Sequence, residues 1–81
     1  MEEINKKVLN AFVKVSNENE VADYMEHLTA GKLEISEEEL SVALYDLQEK
    51  GIIAGVIFDK ENPKKALLWD DVAIRKPEFY S

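Results

Sequence analysis

His27 is the one histidine in the chain, and Asp23 stands four residues before it. On a helix that spacing puts both side chains on one face. A carboxylate there could orient an imidazole acting as a general base or a metal ligand. No second histidine, no cysteine and no matched nucleophile accompanies the pair. A surface histidine with a carboxylate neighbour is therefore the better reading. The run Glu37-Glu38-Glu39 could suggest a divalent cation. Consecutive helical residues point in different directions, however, and cannot converge on one ion. The three carboxylates fit better as complements to the positive end of a helix. Gly31, Gly51 and Gly55 form no phosphate-binding loop. The expectation is a non-enzyme with no metal and no cofactor.

Two groups of residues remain that could bind rather than react. Lys60, Lys64 and Lys65 cluster within six positions, and Arg75-Lys76 follow. Such lysines could touch a phosphate backbone. The plainer reading is a set of solvated lysines that also protect a sheet edge from aggregation. The second group is Glu38, Val42, Tyr45 and Glu49, at helical spacing. A patch of Val42 and Tyr45 framed by two carboxylates suits contact with a protein. Ser41, Tyr45 and Gln48 could each add a polar contact.

Positioning these residues requires three helices and a hairpin. Ile4, Val8, Ala11, Phe12 and Val15 share one face of a helix expected over about 2–15. A second helix is expected over about 18–30, with Asn17 as N-cap and Glu20 completing a capping box. Its buried stripe is Val21, Met25 and Leu28, and Gly31 is its stop. The segment 32–35 then adds a brief strand or plugs the core. A third helix spans about 37–50, capped by Ser36 with Glu39 and buried through Leu40, Ala43, Leu44 and Leu47. Gly51 ends it. The β-branched run 52–58, the polar turn 59–64 and the apolar run 66–69 read as a hairpin. Both faces of its first strand are apolar, so the second face is covered by the first helix and the tail, or pairs with a partner chain. Trp69 is expected in the core or at its edge. From Asp70 onward the signals are weak, and Phe79-Tyr80 either tucks back or stays free.

The chain has 81 residues, 46% of them hydrophobic, enough for a real core despite the acidity. No signal peptide is expected, because Met1-Glu2-Glu3 is acidic and no long apolar run follows. Apolar runs are too short to span a bilayer. A cytoplasmic protein is the expectation. The net charge of −7 argues against non-specific binding to nucleic acid or an anionic membrane.

The pattern Leu40-x-x-Ala43-Leu44-x-x-Leu47-x-x-x-Gly51-Ile52-Ile53, after two helices and before a hairpin, resembles the winged helix-turn-helix family. The resemblance covers residues 2 to 72, and 73–81 would be a C-terminal tail. It implies an α+β fold of three helices followed by a hairpin wing. Over residues 35 to 58 the chain is also similar to the YjcQ-like prophage proteins of Gram-positive bacteria, small winged-helix proteins whose function is not established. That likeness implies a phage or prophage origin.

The family implies a regulatory, DNA-associated module, with the third helix in the major groove and the wing beside the backbone. The charges resist this. Residues 18–50 hold ten acids against two bases, a net of −8, while the remainder nets +1. A base-reading helix favours Arg, Lys, Asn or Gln on its outer face. Here Glu38 and Glu49 would repel phosphate. The wing lysines Lys60, Lys64 and Lys65 are thus the candidate DNA contacts. The alternative is an acidic adaptor that binds a protein through Glu38, Val42, Tyr45 and Glu49, or an acidic mimic of DNA. A homodimer is open under either reading.

Overall fold

A computed structural model describes residues 2–18 and 23–75. It is an α+β arrangement in which helices precede two small antiparallel sheets. The helices are α1 (Glu3–Glu18), α2 (Tyr24–His27), α3 (Ala30–Leu33) and α4 (Glu37–Glu49). The strands are β1 (Ile53–Ala54), β2 (Ile57–Phe58), β3 (Ala66–Leu68) and β4 (Ala73–Ile74). Among the described residues no helix is long and apolar enough to cross a membrane.

α1 and α4 form the main helical contact. α1 buries Val8, Leu9 and Phe12, and α4 buries Leu40, Ala43, Leu44 and Leu47. Ile4, Ala11 and Val15, expected on the same stripe of α1, pack at its margin. The ring of Phe12 meets that of Tyr24 at 5.0 Å between centroids. α4 starts as its sequence requires. Ser36 Oγ accepts from the Glu39 N–H at 3.0 Å, and Glu39 Oε1 accepts from the Ser36 N–H at 2.9 Å. This reciprocal pair satisfies two amides that a helix otherwise leaves open.

The expected second helix is broken in two. Asn17 is no N-cap, because α1 continues through Glu18 and carries Val15 onto the core margin. Its intended partner Glu20, and Val21, lie outside the described residues. α2 ends at His27, and Leu28 and Thr29 turn to non-helical dihedrals. Thr29 then caps α3, its hydroxyl accepting from the Lys32 N–H at 3.2 Å. Gly31 therefore lies inside a helix rather than ending one. The left-handed stop falls at Glu34, with φ 57°. Leu33 and Ile35 pack against the core, so the segment 32–35 plugs it and adds no strand.

The apolar run 52–58 is also divided. β1 pairs with β4, Ile53 opposite Ile74 and Ala54 opposite Ala73. β2 pairs with β3, Ile57 opposite Leu68 and Phe58 opposite Ala66, with an irregularity between. Ala73 and Ile74, read from sequence as the start of the tail, thus form a strand beside a buried Val72. The division answers the puzzle of two apolar faces in part. Ile52, Ile53 and Val56 are buried, while Ile57 and its partner Leu68 stay exposed. Phe79-Tyr80 and Lys76 lie outside the described residues.

Gly55 makes the division possible. Its φ is +108°, and a Cβ there would stand 2.5 Å from the Asp71 carbonyl oxygen. Gly51, at φ +75°, ends α4 with open space around it. Gly51→Ala should cost about 1 kcal/mol, the price of a left-handed alanine. Gly55→Ala should cost about 2–3 kcal/mol, since strain and a backbone clash add. Urea denaturation of both variants checks this; equal losses would contradict the close approach at Gly55.

Candidate functional site

α4 has a second working face beside its core stripe. Ser41, Tyr45 and Gln48 follow at four- and three-residue steps, so they share one side of the helix. All three are turned onto the β segment. Ser41 Oγ accepts from the Ala66 N–H at 3.1 Å. The Tyr45 ring meets Phe58 edge-on, with centroids 5.7 Å apart. Gln48 donates from Nε2 to the Val56 carbonyl at 3.0 Å and accepts from the Val56 N–H at 2.9 Å. These contacts fasten β2 and β3 to α4.

This placement corrects the reading of an exposed Val42–Tyr45 patch. Both residues are half-buried, while Glu38 and Glu49 are exposed. A helical wheel drawn from the core stripe puts Tyr45 near the outer side. The β segment reaches round to cover it, which a wheel with one buried direction cannot represent. Tyr45, Ser41 and Gln48 are occupied within the fold, so none of them is a free outer contact.

Beside this junction lies an open groove of about 890 Å³. One wall is the first half of α4, with Glu37, Glu38 and Val42. The opposite wall is the hairpin, with Lys64, Lys65 and Leu67. Met25, Ala30, Leu40, Ala66 and Trp69 add to its apolar lining. Trp69 is held in place by its Nε1, which donates to the Leu28 carbonyl at 3.0 Å. That bond also satisfies a carbonyl at the break between α2 and α3. Trp69 is half-buried, as expected for the core edge, and Leu67 is 48% exposed.

Two members of each candidate group therefore meet at one site. Glu38 and Val42 stand on one wall, Lys64 and Lys65 on the other. Lys64 Nζ lies 5.5 Å from the centroid of the Tyr45 ring, a cation–π contact. Lys60 and Glu49 are exposed and lie outside the groove. Met25, Leu67 and Trp69 were not singled out as site residues from sequence, although an apolar residue inside a basic hairpin is a weak signal. His27 is exposed at the end of α2, and among the described residues no three His, Asp or Glu side chains gather as a metal site.

Compared with family models, with curated proteins and with solved structures, the chain matches none.

The amide of Gln48 is the part of this site most exposed to a conservative test. Gln48→Glu keeps the shape and can still accept from the Val56 N–H, but cannot donate to the Val56 carbonyl at neutral pH. It should cost about 1–3 kcal/mol, the penalty for an unmatched partly buried carbonyl. Tyr45→Ala should cost about 1–2 kcal/mol through the lost ring contact. Chemical denaturation reads both. A loss below about 0.5 kcal/mol, the scale of ordinary surface changes, would rule out a structural role for either side chain.

Proposed function

We infer that the chain is a non-catalytic, regulatory winged-helix module that docks a segment of another protein between α4 and the β2–β3 hairpin. The observation that carries this reading is the make-up of the groove. Its lining is largely apolar, with Leu40, Val42, Ala66, Leu67 and Trp69, and charged side chains stand at its rim. Leu67 is exposed there rather than covered by the chain's own core. Half-buried Met25, Val42 and Trp69 line the same groove, so its apolar surface is grouped rather than scattered, and grouped apolar surface suits an interaction site.

The same residues work against DNA in the groove. Glu37 and Glu38 on α4 would face phosphates with like charge. Helix N-termini often hold phosphate through their free amides, but here Ser36 and Glu39 already occupy two of them. Ser41, Tyr45 and Gln48, which could have read base edges, are engaged with the hairpin.

A second reading, contact of the hairpin with a phosphate backbone, is favoured by one observation: Lys60, Lys64 and Lys65 are all exposed on the same turn. The two readings separate cleanly. Panning a random peptide display library against the protein should return binders, and Leu67→Gln should abolish their binding while leaving the circular dichroism spectrum unchanged. A short DNA duplex at low salt should give no shift. A shift that falls steeply with salt, and is lost when Lys60, Lys64 and Lys65 become Gln, would overturn the docking function in favour of DNA contact.

A further inference from the structure

The walls of the groove differ in sign, and that difference constrains its occupant. Glu37 and Glu38 project from the first turn of α4, and Lys64 and Lys65 from the end of the turn before β3. All four are exposed. Charges that served to tie the hairpin to the helix would pair across the gap. Among the described residues no ion pair joins the two walls. The hairpin is fastened instead by the contacts of Ser41, Tyr45 and Gln48, with the Lys64 ammonium over the Tyr45 ring.

Both walls are also fixed in position. The glutamates belong to a helix with a closed capping box. The Lys65 N–H donates to the Asn62 carbonyl at 2.9 Å, and the Lys65 carbonyl accepts from the Asp59 N–H at 3.0 Å. Its side chain therefore leaves from a rigid point. Lys64 rests against the Tyr45 ring. An occupant that covers Leu67, Met25 and Trp69 strips water from these rims. Each stripped charge then needs an opposite charge beside it.

Resting on the docking function above, we propose that the groove takes a protein segment with an apolar ridge, basic side chains along the edge facing α4 and acidic side chains along the edge facing the hairpin. A ligand of one sign throughout, nucleic acid included, meets repulsion at one wall. The recognition element is thus a charge-ordered amphipathic segment, with Glu37 and Glu38 selecting one edge and Lys64 and Lys65 the other.

The probes are peptides selected from a random display library on the native chain, then synthesised and measured by fluorescence anisotropy. Winners should carry basic and acidic residues on opposite sides of an apolar anchor. A variant with both walls exchanged (E37K, E38K, K64E and K65E) should bind them about tenfold more weakly, the sum of several rim charge pairs. Copies of the winners with their charges reversed should regain affinity on that variant. If the exchanged variant does not fold, Glu38→Gln and Lys65→Gln, both at exposed positions, should each weaken binding about twofold to threefold. Winners that are lost on Leu67→Gln but show no charge order, or that bind wild type and wall variants equally, would overturn the proposal and leave the docking function standing. Failure to obtain any peptide sensitive to Leu67→Gln would overturn both.

Discussion

Gln48 closes both ends of its amide on the backbone of Val56, as a neighbouring strand would. A two-residue strand such as β2 has little holding power of its own, since a short two-stranded hairpin is marginal in water. The extra pair of bonds comes from a helix whose other side is locked into the core by Leu40, Ala43, Leu44 and Leu47. Ser41 and Tyr45 extend that junction toward β3 and Phe58. The groove exists because α4 holds α1 with one face and the hairpin with the next.

Sequence legibility followed the reach of the interactions. Ser36 and Glu39 specify the start of α4 within four residues, and its core stripe repeats at helical spacing; both are visible locally. The break after α2 is different. The Leu28 carbonyl there is met by Trp69, forty-one positions away, so nothing near Leu28 announces it. Thr29 and Glu34 manage the cap and the stop of α3 with residue types that also occur inside helices. The division of 52–58 had a local mark in Gly55, but its reason lies in the backbone at Asp71.

For the site, residue types were legible and their grouping was not. Lys64, Lys65, Glu38 and Val42 stood out in sequence as two competing surfaces. Folding makes them facing walls of one groove. Tyr45 shows why: a wheel places it away from the core, and the hairpin supplies a second buried direction. The acidity of residues 18–50 also takes on another meaning. Under the docking proposal it does not forbid binding; it selects the edge of a ligand that approaches α4.

The turn from Asp59 to Lys65 is closed by its own backbone, with Glu61 N–H held by the Asp59 carboxylate. Residues 60 to 65 are all exposed. Substitution at 60, 64 or 65 therefore leaves the core untouched. Glu37 and Glu38, by contrast, sit where carboxylates also stabilise the helix. The two walls are unequal in their freedom to change. Substitution in the basic wall is therefore free of folding constraints, while the acidic wall stays anchored by the demands of the helix.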